Sequence, residues 1–151
     1  MPRLSCWFIR ASLLYLGIGV LFGGLILVAK GFPASLNWTW LLLPAHIQML
    51  VGGWMIQLTL GMAYWILPRL SGAGDRGSPG WAWTSFGALN AGVGGAALLL
   101  IVRSFWRAGW IDVLLIVAAL LQIVALLAFA RHAWPRVAPI TGGALRTHRT
   151  A

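Results

Sequence analysis

Apolar residues run through this chain in four long blocks, at 7–29, 40–67, 81–102 and 109–130, separated by short polar or glycine-rich breaks. Each block reaches the ~20 residues a helix needs to cross a bilayer. The short alternating segments of a spanning barrel are absent. The pattern predicts an all-α polytopic membrane protein: a bundle of four transmembrane helices forming one domain over 1–134. A basic cytoplasmic tail over 135–151 carries Pro135, Pro139, Gly142 and Gly143 and is expected to be flexible. The first block is too long for a signal-peptide core and has no small-x-small site before Lys30, so it is read as a retained helix.

Composition sharpens this. Of 151 residues 60% are hydrophobic and only 9% charged, against roughly a quarter charged in soluble domains. Two acids, Asp75 and Asp112, one cysteine, Cys6, and three histidines are the entire supply for acid–base or metal chemistry. Paired-carboxylate hydrolysis, a Ser-His-Asp triad and a cysteine-rich metal site each need more. The net charge of +9 sits at block ends, where it sets topology and meets anionic lipid rather than nucleic acid.

Eight basic residues (Arg3, Arg10, Arg69, Arg76, Arg131, Arg136, Arg146, Arg149) fall on one side and three (Lys30, Arg103, Arg107) on the other. Positive-inside logic puts both termini in the cytoplasm, with the chain integral to the cytoplasmic (inner) membrane of a prokaryote.

Hydrocarbon gives polar side chains no partners, so those inside the blocks carry information. Gln57, Asn90 and Gln122 fall near the midplane on three helices and are expected to hydrogen-bond across them. Gly19 and Gly23 have GxxxG spacing, and the third block holds Gly87, Ala91, Gly94 and Gly95; both read as helix-packing faces. On a regular helix His46, Leu50, Gly53, Gln57, Gly61 and Tyr64 form one stripe. That stripe should face the interior, with space at Gly53 beside the imidazole. Such an imidazole suits axial ligation of a macrocycle. It equally suits a core histidine satisfied by Asp112, which lies at similar depth.

The second block carries a further signal. The runs Pro44-Ala45-His46-Ile47-Gln48-Met49-Leu50-Val51-Gly52-Gly53-Trp54 and Gly61-Met62-Ala63-Tyr64-Trp65-Ile66-Leu67-Pro68-Arg69 resemble the second helix of heme-copper oxidase subunit I. The nitric oxide reductase and C-type oxidase branch is most similar, together with small four-helix proteins that keep only its amino-terminal part. Asn90-Ala91-Gly92 adds a weaker echo. The resemblance implies that His46 is an axial ligand of one heme b, with Gly53 beside it. Asp112, Arg103 and Arg107 are then candidates to orient the imidazole or bind propionates. The large enzymes take their other metal ligands from later helices that this sequence does not include, so oxygen or nitric oxide reduction is not expected of it. The expected function is a non-catalytic subunit for electron transfer, sensing or support of a respiratory or photosynthetic complex, partnered by lipid and by other membrane subunits or a second copy. The alternative is a cofactor-free structural or assembly subunit with His46 paired to Asp112.

Overall fold

The computed structural model describes residues 1–68 and 78–137. It contains four helices long and apolar enough to cross a membrane, and no strand occurs among the described residues. α1 runs Arg3–Gly31, α2 Pro33–Ile66, α3 Pro79–Phe105 and α4 Gly109–Ala133. All-α membrane architecture is therefore what this sequence folds into.

The helices overshoot the apolar blocks that announce them. At ~1.5 Å per residue α1 is roughly 44 Å long, against a hydrocarbon core of ~30 Å. That is more than an untilted crossing needs. Proline marks the starts: Pro33 and Pro79 sit in the first turn of α2 and α3, where a missing N–H costs nothing.

Three of the helices are regular and α2 is not. It begins with a short α turn, Pro33–Leu36, passes through a 3-10 stretch, Asn37–Leu42, and becomes α-helical at Leu43–Gln48. Met49–Ile56 then widens to a π-helix before Gln57–Ile66 returns to α. The widened stretch holds Gly52 and Gly53, both buried. A Cβ on Gly52 would lie 3.0 Å from Val93 Cγ2 of α3, and one on Gly53 would run into the Tyr15 ring of α1. α2 is thus pressed from two sides at the point where two side chains are missing. Glycine's weak preference for the α-helix lets the backbone open there.

α1 packs antiparallel along α2, and α3 along α4; the two hairpins meet chiefly through α2 and α3. Close backbone approach sets both pairs. A Cβ on Gly61 would lie 2.7 Å from Phe8 Cβ, and one on Gly92 would lie 2.8 Å from the Ala118 carbonyl oxygen. The core runs through Leu4, Phe8, Tyr64, Leu89, Val93 and Phe129, with Phe8 and Phe86 edge to face at 5.1 Å. Leucine, valine and isoleucine cover the outward faces of α1 and α4, as contact with acyl chains requires.

The start of α1 and the end of α4 lie at one end of the bundle, hereafter the Arg136 end; Lys30, Arg103 and Arg107 mark the other. The expected tail begins too early. Trp134–Arg136 is an ordered 3-10 turn continuing α4, and Arg136 is buried. Of the other residues used for orientation, Arg69, Arg76, Arg146 and Arg149 lie outside the described residues, as do Asp75, His148 and 138–151 of the tail.

Candidate functional site

His46 sits in the α-helical turn between Pro44 and the π-helix. Its Nδ1 lies 2.7 Å from the Gly19 carbonyl oxygen of α1. A carbonyl only accepts, so Nδ1 carries a proton, and in the neutral imidazole Nε2 then holds the lone pair. Nε2 has no hydrogen-bond partner among the described residues, and the ring is half-buried. The ring lies this close to α1 because position 23 has no side chain: a Cβ on Gly23 would be 2.6 Å from His46 Cε1. The GxxxG pair is therefore the seat of the imidazole, with Gly19 supplying the acceptor and Gly23 the room.

Asp112 does not join His46. Its Oδ1 meets Arg103 Nε at 3.0 Å, with both side chains about half exposed. The physical reason is local. Arg103 and Asp112 stand at adjoining ends of the α3–α4 hairpin, while His46 turns toward α1. The space expected at Gly53 is also taken. The Tyr15 ring lies against it and the Tyr15 hydroxyl donates to the Asn90 carbonyl at 3.3 Å. Arg103 and Arg107 line a cavity of about 280 Å³ with Leu41, Pro44, Leu100 and Ser104; His46 is not among its lining residues.

Of the two partners expected for Gln57 at mid-membrane, Asn90 or Gln122 or both, it meets Asn90. Gln57, fully buried, donates from Nε2 to Asn90 Oδ1 at 3.3 Å. Asn90 Nδ2 in turn donates to the Phe86 carbonyl at 2.8 Å. Gln122 does not meet Gln57: its Oε1 accepts from Gln48 Nε2 at 3.0 Å, and its own amide lies 3.4 Å from the Gly92 and Ala118 carbonyls. Gln48 lies off the regular-helix stripe, which is why the pattern passed over it. The stripe itself is divided between neighbours. His46, Leu50, Gly53 and Gly61 meet α1, whereas Gln57 meets α3 and Tyr64 meets α4. Gln57 Oε1 and Ser85 Oγ are buried without a hydrogen-bond partner among the described residues.

A second polar centre, at the Arg136 end, escaped the sequence reading. Arg136 donates from Nε to the Pro68 carbonyl at 2.8 Å and from Nη2 to the Leu67 carbonyl at 2.6 Å, with Tyr64 O at 3.4 Å. Tyr64 is in α2's last turn and Leu67 and Pro68 directly follow it, so Arg136 ties down the exit of α2 from another helix. His132 lies between, stacked on Tyr64 at 5.2 Å. Its Nδ1 faces the Ser78 carbonyl at 3.2 Å and its Nε2 accepts from Arg136 Nη1 at 3.1 Å. Both ring nitrogens are engaged, which leaves none for a metal. The only available signal was an arginine four residues after a histidine at a helix end.

No group of three or more His, Cys, Asp or Glu side chains is assembled for a metal ion among the described residues. Among the described residues His46 is the one histidine with a nitrogen to offer, and it offers a single bond. No family model, no curated protein and no solved structure matches this chain.

Proposed function

We propose that this chain is a non-catalytic integral membrane subunit that presents His46 Nε2 as one axial ligand to a heme b shared with a partner chain. The single supporting observation is the imidazole's setting: Nδ1–H is committed to a backbone carbonyl at 2.7 Å and Nε2 is left without a partner. Ligating histidines are oriented in this way, by donating the other ring N–H to a carbonyl or carboxylate.

The donor fits such a group, whereas the bundle interior does not. Tyr15 fills the place at Gly53 that a macrocycle inside the bundle would need, so His46 would be the residue to hold the group, without Gly53. A bound heme supplies one-electron chemistry; the chain's own residues hold and orient one imidazole. In this reading the partner is another membrane subunit or a second copy, and the role is electron transfer, sensing or support within a larger complex. Both termini face the cytoplasm of a prokaryotic cell, as the basic residues suggest.

A second reading rests on the same contact. The imidazole, seated between the Gly19 carbonyl and Gly23, also locks α1 to α2, and a cofactor-free structural subunit needs nothing more. Hemin titration of the purified protein, followed by visible absorption, separates the two. The heme reading expects saturable binding that His46→Ala abolishes and Asp112→Asn leaves intact. Absence of hemin binding, or binding indifferent to His46→Ala, refutes it and leaves the lock.

A further inference from the structure

The cavity between the start of α2 and the end of α3 is walled by Leu41, Pro44 and Leu100 and rimmed by Arg103, Ser104 and Arg107. At about 280 Å³ it falls just below the roughly 300–1,000 Å³ of small-molecule pockets. That is room for a headgroup and the first carbons of a chain, and too little for a macrocycle.

Its chemistry changes from apolar to cationic over one turn of α3. Arg103 meets Asp112 Oδ1 through its Nε at 3.0 Å, with its side chain half exposed. Arg107, exposed, has no hydrogen bond or ion pair among the described residues. Two guanidinium groups against one carboxylate leave this rim a net charge of +1. The Ser104 hydroxyl lies 3.0 Å from the Leu41 carbonyl and 2.9 Å from that of Leu100, tying α2 to α3 beside the cavity. Trp40, Trp106 and Trp110 stand exposed around this end of the bundle, as tryptophans do at the headgroup layer.

We propose that this cavity binds one anionic phospholipid, with the phosphate between Arg107 and Arg103 and the acyl stem against Leu41, Pro44 and Leu100. Guanidinium binds phosphate through paired N–H donors. A net headgroup charge of −1 complements the rim, whereas a zwitterionic headgroup sets its own cation among the arginines. This site is independent of His46 and of any heme.

The test uses the full chain in nanodiscs of mixed phosphatidylglycerol and phosphatidylcholine, transferred to detergent and analysed by native mass spectrometry. One phosphatidylglycerol per chain is expected to survive delipidation that removes phosphatidylcholine. Arg107→Gln, on the exposed α3–α4 connection, should lower that retention about fivefold, the weight of one basic residue near anionic lipid. Lys30→Gln, at the same end but outside the cavity, should leave it unchanged. Three results overturn the proposal: equal retention of the two lipids, loss of retention by Lys30→Gln as large as by Arg107→Gln, or inorganic phosphate binding as tightly as the lipid.

Discussion

Alanine at position 23 puts the seat of His46 to the test. The new Cβ would lie 2.6 Å from His46 Cε1 and 3.2 Å from Nδ1. Moving the ring to the 3.4 Å of ordinary contact takes about 0.8 Å. That displacement stretches the 2.7 Å bond to Gly19 toward ~3.5 Å, past hydrogen-bonding range. Losing an interhelical hydrogen bond in a membrane costs about 0.6–1.7 kcal/mol. Overpacking adds about 1–3 kcal/mol, and replacing glycine within a helix returns about 0.5–1 kcal/mol. The net expectation for Gly23→Ala is a loss of about 1–4 kcal/mol.

Gly24→Ala supplies the control, because nothing lies within 4 Å of a Cβ there. It keeps the helix gain and loses nothing. Unfolding in mixed micelles titrated with dodecyl sulfate measures both variants against the parent chain. Equal stability of Gly23→Ala and Gly24→Ala would refute the seat. The same pair probes the heme reading, since disturbing the group that orients a ligating histidine lowers affinity about 10–100-fold. Hemin affinity should fall by that factor in Gly23→Ala and hold in Gly24→Ala.

Arg136→Ala removes a donor from the Tyr64, Leu67 and Pro68 carbonyls at the exit of α2 and from His132, and should cost about 2–4 kcal/mol, several times the roughly 1 kcal/mol of one neutral hydrogen bond, in the same titration. Gln122→Leu should destabilise by about 1–2 kcal/mol, because it strands the Gln48 amide between helices. Gln57→Leu should cost less than Gln122→Leu, since its single bond is 3.3 Å long and its Oε1 is already unpartnered. Asp112→Ala should shift stability by less than about 1 kcal/mol, as a half-exposed ion pair does; it should leave the imidazole proton resonances of His46 unmoved in an NMR spectrum.

Spans, their number and their alternating direction follow from the length of the apolar blocks, because hydrocarbon admits few other solutions. Side-chain partners were legible only where local geometry stayed regular. Gln57 opposite Asn90 came from equal depth on two helices, and that pairing is present. The His46 stripe assumed 100° per residue throughout α2, but the 3-10 and π stretches on either side of Leu43–Gln48 break that spacing. The sequence clue to the break was Gly52-Gly53, which reads equally well as a packing notch. What periodicity could not show is that α2 has two buried faces. Gly19 and Gly23 draw His46 to α1, while Asn90, Gln122 and Arg136 claim Gln57, Gln48 and the carbonyl end from the other side. A helix gripped on both sides has no interior cleft left over, and Tyr15 occupies the one that glycine opens. His46 Nε2 takes no part in these contacts and has no hydrogen-bond partner among the described residues.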